Sequence, residues 1–323
     1  MQPSRNAALM VGTIVCIYVT GAYAQSYPVK PIHMVLGFST GGSTDTGSRL
    51  LAKNLTQRFG QAVLVENRPG AGGAIANELV AKSAPDGYTL LMLSASATIL
   101  PALRKLPYDV TRDLAPVSLV AIGPLVLVVH PSVPARTVKE LIGLARTKTR
   151  LLTYGSTGQG STAHISGELF NSLARINLLQ VPYKGSAEAA IATAAGEIDI
   201  NFPSIPSSLS LIRSIRLRAI AVTSVTRSSL IPAVPTISEA GLPGYNYGTW
   251  FGVVAPARTA PEIISRLHGA IFAALQLPEM QEAFRKQGLE TQTTTPDVFG
   301  AFIRRELEQN SALIRNSGFK GGL

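Results

Sequence analysis

Short apolar runs alternate with helical stripes along most of this chain. Residues 32–37, apolar apart from His33, read as a buried strand. Leu50, Leu51, Leu55 and Phe59 then recur at helical spacing, and the stripe stops at Gly60, a helix-ending residue. A second strand is predicted at 63–66, a tight loop at 67–73, and a helix carrying Ile75, Leu79 and Val80. Pro85-Asp86-Gly87 marks a turn before a third strand at 89–93. This βαβαβ order predicts a parallel sheet with right-handed crossovers.

Residues 114–129 read as strand without helical period, broken at Gly123-Pro124, and are expected to cross into a second lobe. There the alternation resumes. Thr137 to Glu140 has the spacing of a capping box, and Val138, Leu141, Ile142 and Ala145 share one helix face. A strand at 151–154 precedes a stripe of Ile165, Leu169, Phe170 and Leu173. A strand at 178–181, an Ala-rich helix at 187–195 closed by Gly196, and strands at 198–202 and 217–222 follow. Residues 248–252 are expected to form the return crossing, with Trp250 in hinge or core packing. The tail is helical. Pro261 sits at a first-turn position before Ile263, Ile264, Leu267 and Ile271, and Thr295-Pro296 opens a last helix with Phe299, Phe302, Ile303 and Leu307. Every stripe reads as core packing.

At 323 residues the chain has room for about two domains. Its 46% hydrophobic and 15% charged content permits a sizeable core. The net charge of +10 is scattered, with no run of five like charges and no basic stretch interleaved with aromatics, which speaks against nucleic acid. Residues 1–24 have the secretory pattern: Arg5, an apolar stretch at 7–19, and a small-x-small site at Ala22-Tyr23-Ala24 that predicts cleavage after Ala24. Cleavage removes Arg5 and the single cysteine, Cys16. Disulfides, thiolate catalysis and cysteine metal sites are thereby excluded from the mature chain. His33, His130, His164 and His268 share no metal-ligand spacing, and no cofactor or metal is expected.

Two turns are built from the same residue types. Phe38-Ser39-Thr40-Gly41-Gly42-Ser43-Thr44-Asp45 and Tyr154-Gly155-Ser156-Thr157-Gly158-Gln159-Gly160-Ser161-Thr162 each follow a strand and precede a helix, and neither contains Lys or Arg. Such turns offer backbone N–H groups and hydroxyls to an anion. The pair suggests two lobes closing on one small acidic ligand. Asp45 is read as a helix-start charge satisfying backbone donors, or as a bond to a ligand amine or the opposite lobe. Gly158 to Ala163 fits a dinucleotide pattern, but the strand at 178–181 ends in Pro182-Tyr183-Lys184-Gly185 with no ribose-binding acid. A Walker A pattern is absent. Ser161 and His164, three residues apart, keep a secreted serine hydrolase open as the rival reading.

Several stretches in order resemble the solute-binding proteins of tripartite tricarboxylate transporters, the Bug receptors. They are Tyr27-Pro28 to Pro31-Ile32, the Phe38 to Asp45 turn, residues 65–73, residues 84–90, Leu106 to Asp109, the Tyr154 to His164 turn, residues 181–185 and residues 234–241. The resemblance covers essentially all of the mature chain. It implies a periplasmic α/β Venus flytrap, type II-like, with each lobe a mostly parallel sheet flanked by helices and two crossing hinge strands. Lobe 1 is expected at 25–120 and 250–323, and lobe 2 at 121–249. The resemblance implies a small carboxylate ligand, delivery to membrane permease subunits, and a monomer. A receptor for a signalling partner would need the same closing cleft. Carried over, ligand contacts fall on Phe38, Ser39, Thr40, Gly41, Gly42, Ser43, Thr44, Asp45 and Ser94 in one lobe. In the other they fall on Ser156, Thr157, Gly158, Gln159, Ser161, His164, Tyr183, Lys184, Gly185 and Pro203. Where the family commonly has an acidic residue this chain has Pro203, which disfavours a ligand ammonium group.

Overall fold

The computed structural model describes residues 27–147 and 151–316; the export signal read at 1–24 lies outside them. The first lobe starts with β1 (Ile32–Leu36), α1 (Ser43–Phe59), β2 (Val63–Asn67), α2 (Ala74–Ala81), β3 (Thr89–Ser94) and α3 (Ser96–Leu103). Next come β4 (Leu114–Pro124) and β5 (Val126–Val129), which belong to different sheets. The second sheet is completed through α4 (Val138–Arg146), β6 (Thr153–Ser156), α5 (Thr162–Ala174), β7 (Leu179–Pro182), α6 (Ser186–Ala195), β8 (Ile200–Asn201), α7 (Ile205–Arg213) and β9 (Arg218–Val222). The chain returns in β10 (Gly248–Pro256) and ends in α8 (Pro261–Leu275), α9 (Pro278–Lys286), β11 (Glu290–Thr291) and α10 (Pro296–Asn316).

The six-stranded sheet runs β11-β4-β10-β3-β1-β2 and the five-stranded sheet β7-β6-β8-β5-β9. Each holds a parallel trio, β3-β1-β2 and β7-β6-β8. The remaining pairings are antiparallel, because β4, β5 and β10 run between the lobes. The sheets are therefore mixed, where a mostly parallel arrangement was expected.

Both faces of each sheet are covered, so the central strands are mostly apolar. Met34 and Leu36 pack with Leu51, Leu55, Leu267 and Phe284, while Val35 turns to Leu91, Val80, Trp250 and Phe299. In the second lobe Tyr154, Phe170, Ile200 and Tyr245 fill one face and Val126, Val128, Ala190 and Ile205 the other. Gly60 and Gly196 end their helices at φ of 65° and 80°, conformations that favour glycine.

Several expectations are corrected. Ile75 and Leu79 are 52% and 40% exposed, because α2 turns Ala76 and Val80 inward instead. Leu173 also faces solvent. Strand β6 starts at Thr153, not 151, and β8 is only Ile200–Asn201, since Pro203 cannot donate to a ladder. The Thr137 hydroxyl accepts from Glu140 N–H at 3.1 Å, but the Glu140 carboxylate reaches Arg136 N–H rather than that of Thr137. Helices α3 and α7 and strand β11 were not anticipated.

Candidate functional site

Strand order places a crevice in each lobe. From β1 the chain steps to β2 and then returns to the opposite flank in β3; from β6 it steps to β7 and returns in β8. Ligands of open α/β sheets sit at the carboxyl ends of strands where the order reverses in this way. The two turns lie at these points, after β1 and after β6. Ser94 ends β3, and Pro203 is the second residue after β8.

In the first turn Ser39, Thr40, Gly41 and Gly42 are exposed and Phe38 is half-buried. Gly41 holds a φ of 87°. Gly42 caps α1 and has no side chain with which to accept from the first-turn N–H groups. Asp45 is buried and faces its own lobe. It accepts from Gly41 N–H at 3.1 Å, Arg49 Nε at 3.1 Å and Asn67 Nδ2 at 3.0 Å. Asn67 also donates to the Phe38 carbonyl at 2.9 Å. Burial raises the Asp45 pKa, but the bonds from Arg49, Gly41 and Asn67 outweigh it and hold the carboxyl below its usual range. The carboxylate thus clamps the turn's shape. Ser94 and Ser96 hydroxyls lie 2.9 Å apart beside it.

The second turn satisfies much of itself. The Ser156 hydroxyl is buried and accepts from Gly158 N–H at 3.2 Å and Gln180 Nε2 at 2.6 Å. Ser161 N–H donates to the Gly158 carbonyl, and the Ser161 hydroxyl caps α5 by accepting from His164 N–H at 3.2 Å. His164 Nδ1 accepts from Gly160 N–H at 3.1 Å. The imidazole is fully buried, which pushes its pKa down to about 4. Ser161 and His164 are therefore turn-forming groups, and this contact pattern is not that of the serine–histidine pair a hydrolase requires. Thr157 and Gly158 are half-buried and Gln159 is exposed.

Tyr183 is half-buried, and its N–H donates to the Ser156 carbonyl at 2.8 Å. Lys184 is exposed, and its N–H donates to Glu188 at 3.1 Å. Gly185 caps α6 with no side-chain bond, and Ser204 does the same for α7. Pro203 is buried, with its carbonyl accepting from Val126 N–H at 3.0 Å. Sequence reasoning missed the groups around these two helix starts. Ser186 and Ser207 hydroxyls are 3.0 Å apart, and Ser204 donates to Ser207 at 2.9 Å. Asn201 is 1% exposed, and its Nδ2 has no hydrogen-bond partner in the structure. A single asparagine at a strand end carries no spacing signal, so only the fold exposes it. Among the described residues no three His, Cys, Asp or Glu side chains cluster as a metal site, and no helix is long and apolar enough to cross a membrane.

The lobes touch beside the turns. A Cβ at Gly160 would lie 2.8 Å from Leu100 Cδ2 and 3.1 Å from Leu103 Cδ1 of α3. Ile165 of α5 packs with Ile99 of α3 and Ile314 of α10.

The model of the tripartite tricarboxylate transporter family receptor matches residues 48–319. Protein BugT of Bordetella pertussis is 40% identical over 300 residues, covering 92% of each chain. The structure of R. palustris Rpa4515 with adipate superposes with a TM-score of 0.85 at 34% identity, covering 90% of this chain and 98% of that one. MatC from Rhodopseudomonas palustris with bound malate gives 0.82 at 30%, covering 89% and 100%. The chain belongs to the tripartite tricarboxylate transporter receptor family.

Proposed function

We propose that this protein is an extracytoplasmic receptor, not an enzyme, that captures a small organic acid between its lobes and delivers it to the membrane permease of a tripartite tricarboxylate-type transporter. The reading places it in the periplasm as a monomer after loss of residues 1–24. Its lobes are 25–120 with 250–323, and 121–249. The observation that carries it is the exposed Ser39–Gly42 turn over the uncapped start of α1, placed at the strand-order reversal of its lobe. Residues Phe38 to Asp45 and Ser94 supply one jaw, with Asp45 shaping it from behind. Ser156 to Ser161, His164, Tyr183 to Gly185 and Pro203 frame the other. Because the second turn uses several of its own N–H groups, the α6 and α7 starts and Asn201 Nδ2 are the stronger donors there.

The energetics close without a cationic side chain in either turn. A helix N-terminus contributes about 0.3–1 kcal/mol to a carboxylate, and about 2 when partly buried. Charge-assisted hydrogen bonds add about 1.5–3 kcal/mol each. Micromolar binding needs about 8 kcal/mol. The donors that the two crevices offer together reach that sum.

The test is calorimetry on protein unfolded, dialysed and refolded to strip endogenous ligand, against adipate, malate, succinate, citrate, glutamate and benzoate. Saturable one-site binding of at least one acid is expected, weakened about tenfold or more by Asn201→Leu. Failure of every acid to bind refolded, cooperatively melting protein overturns the reading.

A further inference from the structure

A cavity of about 260 Å³ lies away from the two turns, at the edge of the molecule where both crossings occur. Its walls come from both lobes. Ser224, Arg227 and Ser228, in the loop after β9, belong to the second; Arg285, Gly288 and Glu290, around the α9–β11 turn, belong to the first. Strand order fixes its relation to the turns. In the first sheet β11 is the outer strand, the crossing strands β4 and β10 come next, and the turn-bearing β3, β1 and β2 lie beyond. In the second sheet β9 is outermost, then β5, then β8 and β6. The crossings therefore stand between the cavity and the turns in both lobes.

We propose that this hinge-edge cavity is a second ligand site, for a small tetrahedral dianion held between Arg227 and Arg285, and that filling it swings the two turns apart. One guanidinium comes from each lobe. Arg227 Nε is bonded to Glu239 at 2.9 Å, and Arg285 pairs with Glu282 on its own helix. A guanidinium has five donors, so a single carboxylate leaves others for a second acceptor. Glu239 and Glu282 already neutralise much of the two guanidinium charges, so the anion is held through the N–H donors that these carboxylates leave free. A tetrahedral dianion presents oxygens in both directions and can take both forks, whereas a planar carboxylate presents one face. The volume is below the usual range for organic ligands and suits inorganic phosphate or sulfate. Drawing Arg227 towards Arg285 shortens the outer edge. Rotation about the crossings then lengthens the distance on the turn side, a hinge motion of the ordinary kind. Glu290 is the carboxylate of this wall and works against the anion.

The experiment titrates inorganic phosphate into the full mature chain at fixed low ionic strength, by calorimetry and by small-angle scattering. One-site saturable binding is expected, weakened about tenfold by Arg227→Gln and by Arg285→Gln and strengthened by Glu290→Gln. Scattering should show the radius of gyration rising with phosphate in the wild type and unchanged in the double arginine variant. Both arginines are largely exposed, and unchanged melting temperatures will confirm that the variants fold. No saturable phosphate binding overturns the site. Binding that survives the double variant overturns it too, because the anion then sits in the turns. A radius that falls or stays constant as phosphate saturates overturns the coupling. Sulfate run in parallel tells a general dianion site from one that selects phosphate.

Discussion

His164 shows how one residue ties turn geometry to solution conditions. Its Nδ1 receives Gly160 N–H, and its burial favours the neutral ring, with a pKa of about 4 against an ordinary 6.5. The unfolded chain therefore takes up the proton first. Stability from this group is complete above pH 6.5, falls as the pH drops towards 4, and is constant below. The difference is worth about 3 kcal/mol. His164→Asn keeps an acceptor for Gly160 but has no such titration. Denaturant melts of both proteins from pH 7 to pH 4 should show the wild type losing that extra amount while the variant does not; parallel curves would refute the assignment. Residues of this kind were only partly legible. The glycines and hydroxyls of the turns stood out because several of them recur in order. The inward orientation of Asp45 depends on Arg49 and Asn67, and the burial of Asn201 with its Nδ2 unpartnered depends on strands distant in sequence, so neither could be read before folding.

Elements were legible where local chemistry and packing agreed. Gly60 and Gly196 terminate helices as the pattern required, and Pro261 begins one. Helix α3 was missed because Pro101 interrupts an eight-residue segment with two β-branched residues, yet it is buried on both sides. It packs in the first-lobe core through Leu100 and meets the second lobe through Ile99 and Leu103. That contact yields a paired prediction. Gly158 and Gly160 both have positive φ, 98° and 72°, so alanine strains the backbone at either by about 1 kcal/mol. Only at Gly160 does the new Cβ strike the other lobe; at Gly158 nothing lies within 4 Å. Both variants should bind the tightest acid of the panel more weakly. Small-angle scattering should show Gly160→Ala expanded and Gly158→Ala unchanged, and equal radii for the two would mean that Leu100 and Leu103 do not hold the lobes together.

At the scale of the whole molecule, the proposed function depends on two crossings that join the lobes and leave each its own core. The sequence marked both, through Gly123-Pro124 and the glycines around Trp250, but not how close they run. Strands β4 and β10 pair Thr249 with Gly123 and Gly248 with Pro124. A Cβ at Gly248 would lie 2.8 Å from the Gly123 carbonyl oxygen, and backbone cannot rotate away as a side-chain tip can. Tyr247, next to it, donates to Asn310 of α10 at 3.2 Å, and Asn310 donates to Thr98 of α3 at 2.9 Å, so a displaced crossing also pulls on the lobe contact. Gly248→Ala should therefore part the strands at a cost of about 1–3 kcal/mol, the usual range for overpacking. Each sheet's core stays intact, so helical content by circular dichroism should hold, while affinity for the tightest acid of the panel falls about tenfold. Gly269→Ala is the matched control, in the middle of α8 with nothing within 4 Å, and should stabilise by about 0.5–1 kcal/mol with binding unchanged. If Gly248→Ala binds that acid as tightly as the wild type, lobe movement does not pass through this pair of strands, and the hinge lies elsewhere in the second crossing.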